Sequence, residues 1–254
     1  MPSSPPCPKG PGAPLPACNT VSEPLVFLPG MMCDARLFGP QTAALSATRA
    51  IHHAPITAGE TVEDIAAAIL DTAPPRFALC GLSMGGIVAM EVIAHAPDRV
   101  TRLALLDTNF LPEIPEKAAL REPQIVGART GRLAEIMRDE MKPNYLAPGP
   151  ARAETLDLVM DMALALDPDV FVRQSRALQR RPDFSATLKS VRVPTLILCG
   201  RHDQLCPVSR HELMAAMIPG ADLVVIDGAG HLPTLETPAE VTAALERWLA
   251  RPLP

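Results

Sequence analysis

Five short apolar runs, separated by segments with helical periodicity, constrain the fold of this chain more than any other feature. The runs are LVFL at 25–28, RFALCG at 76–81, RLALLD at 102–107, PTLILCG at 194–200 and DLVVID at 222–227. Runs that are apolar on both faces are typical of parallel strands that helices cover on either side. With AIHHA at 50–54 as a weaker sixth strand, the alternation predicts an α/β fold. We expect a doubly wound, mainly parallel sheet of about six strands with helices on both faces and a helical lid.

Capping signals mark two of the intervening helices. The side chain of Thr61 can accept a hydrogen bond from the amide of Asp64. Thr237 and Glu240 have the spacing of a capping box, in which Pro238 takes the first helical position. We therefore expect helices that begin directly after Thr61 and Thr237.

Residues 112–190 interrupt the alternation, because they contain helix-like segments but no convincing strand. We expect this insertion to be a helical cap over the C-terminal edge of the sheet. The α/β core would then comprise residues 23–111 and 191–254. Seven prolines precede the core, and proline resists both helix and central strand, so residues 1–22 should form a disordered or polyproline-like tail.

Charge and composition exclude several classes of function. The net charge of −5, without a Lys/Arg cluster, argues against a nucleic-acid partner. No apolar run reaches the length of about 18 residues that a membrane span needs. The six cysteines form no C-x-x-C pair and no His cluster has metal-ligand spacing, so we expect no metal and a reducing, cytoplasmic setting.

The motif CGLSMGG places Ser83 between an apolar strand and an apolar helix. A sharp strand-to-helix turn would lift this side chain clear of the sheet, and Gly81 and Gly85 would leave room for the chain to cross neighbouring backbone. The N-terminus of the following helix would favour developing negative charge. Ser83 is therefore the candidate nucleophile; the alternative is an ordinary glycine-rich turn.

A serine nucleophile needs a base and a carboxylate that orients it. Among six histidines, only His231 lies in a glycine-rich loop directly after a strand, in DGAGHLPTLE. Asp203 follows the strand TLILCG, and Asp107, at the end of another strand, is the rival acid. The predicted catalytic set is Ser83, Asp203 and His231.

Two backbone amides are expected to form the oxyanion hole: those of Met84, directly after the nucleophile, and Met31, in the loop LPGMMCD. Gly30 would permit the tight turn that points the Met31 amide inward. We expect Gly30, Met32 and Leu232 to contact the substrate. Cys33 and Cys206 fall near the proposed site, but no histidine is arranged around either as a catalytic cysteine would need.

These segments resemble the α/β-hydrolase family, in its small capped carboxylesterase branch. The matching pieces are FLPGMMCDARLF, LCGLSMGGIVAMEVIAHAPDRVTRLALLDT, PTLILCGRHDQLCP and GAGHLPTLETPAEVTAALERWL. They cover roughly residues 24–111 and 191–250, and the order Ser, Asp, His along the chain is that of the family. The resemblance implies hydrolysis through an acyl-enzyme, with neither metal nor cofactor.

The sequence departs from the family pattern at three places. Pro29-Gly30 replaces the usual His-Gly of the oxyanion loop, and HHAPITAGET replaces the D-x-x-G-x-G-x-S loop. The proline-rich tail leaves no sequence for the family's first two strands. A reduced sheet, all parallel, is therefore expected.

The predicted activity is hydrolysis of a small or medium apolar carboxylic ester. The expectation of an apolar, adaptable pocket rests on four methionines of the cap, which could equally be cap core: Met137, Met141, Met160 and Met162. The same catalytic set would also serve a lactonase, a C–C bond hydrolase, an acyltransferase or a perhydrolase. A hydrolase-fold ligand receptor, or an interaction protein that uses the proline-rich tail, are the alternatives outside enzymes.

Overall fold

A computed structural model describes residues 22–150 and 152–253 of the chain. Its six strands are β1 (Leu25–Leu28), β2 (Ile51–His53), β3 (Phe77–Leu82), β4 (Val100–Leu106), β5 (Thr195–Gly200) and β6 (Asp222–Ile226). They form one sheet in the order β2-β1-β3-β4-β5-β6, with every pair parallel. Within the described residues, the prediction of an all-parallel sheet of about six strands is confirmed. The predicted tail lies outside the described residues except for Ser22.

Eleven α-helices accompany these strands in the described residues. They are α1 (Gly39–Leu45), α2 (Val62–Thr72), α3 (Met84–His95), α4 (Pro115–Gly127), α5 (Leu133–Glu135), α6 (Arg152–Ala165), α7 (Pro168–Arg180), α8 (Ser185–Ser190), α9 (Val208–Met217), α10 (Pro233–Glu236) and α11 (Pro238–Leu249). Short 3₁₀ turns occupy Ala35–Phe38 and Lys142–Asn144, and wide π-type turns flank α5. None of the described helices combines the length and the apolar character needed to cross a membrane.

The two faces of the sheet are buried in separate clusters of apolar side chains. Val26 and Leu28 of β1 pack in the cluster that contains residues of α2, α3 and α9. Leu25 and Phe27 pack in the cluster that contains residues of α1 and α11. Because successive strand residues point to opposite faces, both sets must be apolar, which explains the uninterrupted runs in the sequence.

Both helices begin where expected, α2 at Val62 and α11 at Pro238, but the hydrogen bonds of the two predicted caps have different outcomes. Thr61 Oγ1 accepts a 3.1 Å hydrogen bond from the amide of Asp64, as expected. The capping box at Thr237 is wrong: its side chain makes no cap hydrogen bond, and its hydroxyl donates to the carbonyl of Pro233 at 3.3 Å. Pro233 is the first residue of the one-turn helix α10, so this helix supplies the acceptor for Thr237 directly before α11 begins.

Helices α4 to α8 fill the interval between β4 and β5, and the described part of this interval contains no strand. They do not all lie in a separate layer. Helix α8 packs against α3 and α9, and Leu188 on it is fully buried in the same cluster as those helices. The last residues of the predicted cap therefore belong to the helical layer of the core.

Candidate active site

Ser83 lies in a strained turn between β3 and α3. Its backbone angles, φ +55° and ψ −118°, are ones that non-glycine residues rarely adopt. The Ser83 amide donates to Leu106 O at 2.9 Å, and Thr108 Oγ1 donates to Ser83 O at 2.6 Å. The end of β4 and the residues directly after it thus hold the turn from both sides.

Glycines are required on both sides of Ser83 because the turn passes against other backbone. A Cβ atom at Gly81 would lie 2.2 Å from Gly85 O, and one at Gly85 would lie 2.1 Å from Leu28 O. A Cβ atom at Gly86 would lie 2.6 Å from the Cβ of Thr108. The spacing of the glycines in the motif therefore reflects the positions at which a Cβ atom would collide with neighbouring atoms.

The structure brings Ser83, His231 and Asp203 into a continuous hydrogen-bonded line. His231 Nε2 lies 2.9 Å from Ser83 Oγ, and His231 Nδ1 lies 2.8 Å from Asp203 Oδ2. An ionised Asp203 accepts only, so the imidazole donates from Nδ1 and its Nε2 is free to accept the serine proton. Asp203 and His231 are both buried, which shields the contact between them from water.

Asp203 remains ionised although it is buried. Burial by itself would raise the pKa of its carboxyl. The electrostatic interaction with His231, the hydrogen bond from its ring and the backbone amides of Cys206 and Leu205 outweigh burial and hold that pKa below its usual range. Those amides donate to Asp203 Oδ1 at 3.0 and 2.8 Å, leaving Oδ2 for the imidazole.

The rival acid, Asp107, makes no hydrogen bond to His231. Its Oδ1 accepts from the amide of Gly200 at 2.8 Å, and its side chain is fully buried. Burial, and then the nearby carboxylate of Asp203, raise the pKa of Asp107 well above its usual range. A protonated carboxyl in this place can donate to Asp203 but cannot replace it as the acceptor for His231.

The loop after β1 passes beside the nucleophile. An added Cβ at Gly30 would lie 3.5 Å from the Cβ of Ser83, which is ordinary contact. The left-handed residue of this loop is Met32, with φ +53°, so the expectation that Gly30 provides the turn is wrong. The Met32 amide donates to Gln174 Oε1 at 2.9 Å, and this contact with α7 holds the unfavourable geometry.

A cavity of about 460 Å³ opens onto Ser83 and His231. Its apolar lining includes Met31, Met84, Ile87, Met141, Leu178 and Leu205, and its charged lining includes Glu113, Lys117, Arg121, Glu140 and Arg181. Of the four cap methionines, Met137 and Met162 are fully buried and Met160 packs against the core. Of these four methionines, only Met141 lines the cavity, as the expectation of an apolar, adaptable pocket requires.

The predicted oxyanion residues Met31 and Met84 both line this cavity. Of the residues expected to contact substrate, Met32 and Leu232 are almost completely buried in the two core clusters. The cavity wall is formed by other residues, and Gly30 adjoins the site only through its neighbours Met31 and Ser83.

A comparison of the sequence with known protein families agrees with the fold and the site described above. The sequence profile described as "Alpha/beta hydrolase family" matches residues 25–245, which spans the sheet, the catalytic set and the helical interval. The chain belongs to the alpha/beta hydrolase family. The predictions of the family and of its α/β fold are confirmed.

Relatives within the alpha/beta hydrolase family include several esterases. The chain is 30% identical to a pimeloyl-[acyl-carrier protein] methyl ester esterase of Aromatoleum aromaticum, over 74% of this chain and 80% of that protein. It is 28% identical to a thermophilic esterase from Thermogutta terrifontis, whose structure superposes with a TM-score of 0.83 over 90% of both chains. An enol-lactonase from Burkholderia xenovorans, 24% identical, has the same fold, with a TM-score of 0.81 over 91% of this chain and 92% of that one.

Two residues that support this hydrolase site were not predicted from the sequence. The Glu236 carboxylate accepts from the amides of Gly230 and Leu232 at 3.0 Å, on both sides of His231. It also accepts from the amide of Ala147 at 2.7 Å. The carbonyl of Tyr145 accepts from the amide of His231 at 2.6 Å. The only sequence feature that could have indicated Glu236 is its position five residues after His231 in HLPTLE. No sequence feature indicated Tyr145.

One group of side chains has the composition of a metal site. Potential ligand atoms of Asp203, Cys206 and His231 lie within 4.8 Å of one another. Asp203 and His231 are already engaged in the hydrogen-bonded line with Ser83. Burial raises the pKa of the Cys206 thiol well above its usual range, which disfavours the thiolate that a metal binds. This arrangement suits proton transfer rather than coordination.

Proposed function

We propose that this chain is a serine esterase that cleaves a carboxylic ester through an acyl-enzyme. The observation that carries the proposal is the line from Ser83 Oγ through the His231 imidazole to Asp203, with contacts of 2.9 and 2.8 Å. Base and nucleophile are thus within proton-transfer distance, and the base has an orienting carboxylate. Esterases among the relatives support the same reaction class.

In the acylation step, His231 Nε2 removes the proton from Ser83 Oγ as that oxygen attacks the ester carbonyl carbon. Negative charge then develops on the carbonyl oxygen, and we assign its stabilisation to the backbone amides of Met31 and Met84. The protonated His231 gives its proton to the departing alkoxide, which releases the alcohol. Asp203 stabilises the imidazolium between these transfers.

In the second step, water enters the site of the departed alcohol. His231 removes a proton from this water, whose oxygen attacks the acyl carbon. Collapse of the second tetrahedral intermediate returns the proton to Ser83 and releases the carboxylic acid. Apart from the substrate and water, these proton transfers involve only the side chains of Ser83 and His231.

We also propose that the segment from α4 to the turn at Tyr145 is a lid over this site. Residues of α4, such as Leu120 and Gln124, line the same cavity as Ser83. The backbone contacts of Tyr145 and Ala147 join the end of this segment to the histidine loop and to Glu236. We take a small-molecule ester as the partner. The four described cysteines are free, which fits the cytoplasm as the compartment.

Replacement of Ser83 by alanine tests the proposed function. The variant should lose turnover of p-nitrophenyl acetate and covalent labelling by a fluorophosphonate probe, while its circular dichroism spectrum stays that of the wild type. Ser209, exposed on α9, is the matched control, and Ser209→Ala should keep both properties. Unchanged labelling of Ser83→Ala would reject Ser83 as the nucleophile. A wild-type protein that is neither labelled nor active would favour a hydrolase-fold receptor.

A further inference from the structure

One wall of the cavity contains two arginines that share a single carboxylate. Arg121 contacts Glu113 through Nε, at 2.5 Å, and through Nη2, at 2.9 Å. Arg181 Nη1 contacts the same carboxylate at 3.3 Å. The Glu113 side chain is only 2% exposed and that of Arg181 only 8%, so this group is largely removed from water.

The charges of this group do not balance. Two guanidinium groups face one carboxylate, and Lys117 and Glu140 on the same cavity add one charge of each sign. Burial lowers the pKa of Arg181; attraction to Glu113 opposes this effect, and repulsion from Arg121 adds to it. An uncompensated charge in a partly dry site is costly, and an arriving anion would remove that cost.

Arg121 also has a donor whose present partner is weak. Its Nη1 lies 3.8 Å from the thioether sulfur of Met31, and a thioether is a poor acceptor. A carboxylate would be a much stronger partner, and guanidinium groups bind carboxylates with two parallel hydrogen bonds. Met31, Arg121 and Ser83 line the same cavity, so an anion bound here would share that cavity with the reacting carbonyl.

We propose that the natural substrate is an ester that carries a carboxylate, which Arg121 and Arg181 bind while Ser83 attacks the ester carbonyl. This inference rests on the proposed esterase function and adds the substrate class. The apolar lining residues, among them Ile87 and Leu178, accommodate the carbon chain between the two groups. The expectation of an apolar ester is thereby narrowed to an ester with an apolar chain and an anionic end.

Matched substrate pairs test this proposal on the wild-type protein. The first series compares monomethyl esters of linear dicarboxylic acids, from succinate to suberate, with methyl esters of monocarboxylic acids of the same length. The second series places the carboxylate on the alcohol side, as acetate esters of hydroxy acids against acetate esters of simple alcohols. At least one series should show kcat/KM higher for the anionic ester by about tenfold or more.

Variants of the two arginines then test whether these residues cause the preference for anionic esters. Arg181→Gln and Arg121→Gln should each lower the anionic-to-neutral ratio of kcat/KM by about tenfold, whereas general damage to the fold would lower both rates together. Lys117→Gln, at an exposed cavity position, offers a variant with little risk to folding and should lower the ratio by a smaller factor. Arg180→Gln is the matched control, since Arg180 is exposed and contacts Glu60; it should leave the ratio unchanged.

Failure of the substrate proposal can be distinguished from failure of the esterase proposal. Ser83-dependent turnover of neutral esters without an anionic preference in either series would overturn this proposal and leave the esterase function intact. Turnover that survives Ser83→Ala would overturn both. An anionic preference that persists in both arginine variants would also overturn the assigned binding site.

Discussion

The backbone amide of His231 donates a 2.6 Å hydrogen bond to the carbonyl of Tyr145. Tyr145 lies in the segment between β4 and β5, whereas His231 lies in the loop after β6. The ring of Tyr145 also meets the imidazole edge-on, with 5.4 Å between ring centroids. The orientation of the proposed base therefore depends on the segment that we propose as the lid.

Glu236 should matter for catalysis although it touches no reacting atom. Replacement by alanine removes the acceptor for the amides of Gly230, Leu232 and Ala147, so the histidine loop should lose its fixed position. We expect kcat to fall by about 10- to 100-fold, with a smaller change in KM. Steady-state kinetics on p-nitrophenyl acetate measure this effect. Glu240→Ala, at an exposed position of α11, is the control, and equal effects of both variants would contradict the role of Glu236.

The two candidate acids can be separated by matched substitutions. Asp203→Asn should lower kcat/KM by about 10³- to 10⁴-fold, because an amide can present its NH₂ group to His231 and favour the wrong tautomer. Asp107→Asn should cost at most about tenfold, since asparagine keeps an oxygen to accept from the Gly200 amide and an NH₂ group to donate to Asp203. If Asp107→Asn proved the more damaging variant, Asp107 would be the orienting acid instead.

The nucleophile turn should not tolerate a larger residue at Gly85. The Cβ of Gly85→Ala would approach the backbone oxygen of Leu28 to 2.1 Å, and backbone cannot move aside without displacing β1. We expect a loss of about 3 kcal/mol or more in the free energy of unfolding, together with loss of activity. Gly39→Ala is the control, because a Cβ there has no atom within 4 Å. Urea unfolding of both variants measures this loss of stability. Similar unfolding midpoints for Gly85→Ala and Gly39→Ala would contradict the predicted clash at Gly85.

Stability should fall in mild acid through His211. Its Nε2 accepts from the amide of Thr108 at 3.0 Å, and a proton on that nitrogen would break the contact. Burial lowers the pKa of His211 from its ordinary 6.5 to about 4. Between these values the unfolded chain binds more protons than the folded protein, so stability decreases as the pH is lowered from 6.5 towards 4. This group contributes at most about 3 kcal/mol to that decrease.

His211→Gln checks the assignment, because glutamine can accept from the Thr108 amide but does not titrate in this range. The free energy of unfolding should depend less steeply on pH in this variant than in the wild type between pH 4 and 6.5. Ser209→Ala, at an exposed position of the same helix α9, is the control, since it removes no titrating group, and it should retain the wild-type slope. The same slope in His211→Gln as in the wild type would exclude His211 as the source.

Local chemistry explains why much of this protein could be predicted from its sequence. Strands buried on both faces must be apolar throughout, so β3, β4 and β5 are visible as continuous runs. Parallel strands present their C-terminal ends at one edge, so Ser83, Asp203 and His231 could be grouped by their positions alone. The glycines around Ser83 follow from backbone contact within a single strand–turn–helix unit.

Contacts between distant segments were decided only by the tertiary structure. Gln174 holds the left-handed geometry of Met32 across 142 residues of sequence, and Arg121 reaches Met31 across 90. A side chain's partner in such pairs depends on how helices pack, which neither periodicity nor composition encodes. The sequence therefore determined the sheet and the order of the catalytic residues. Packing of the helical interval decided what orients His231 and which charges face the substrate.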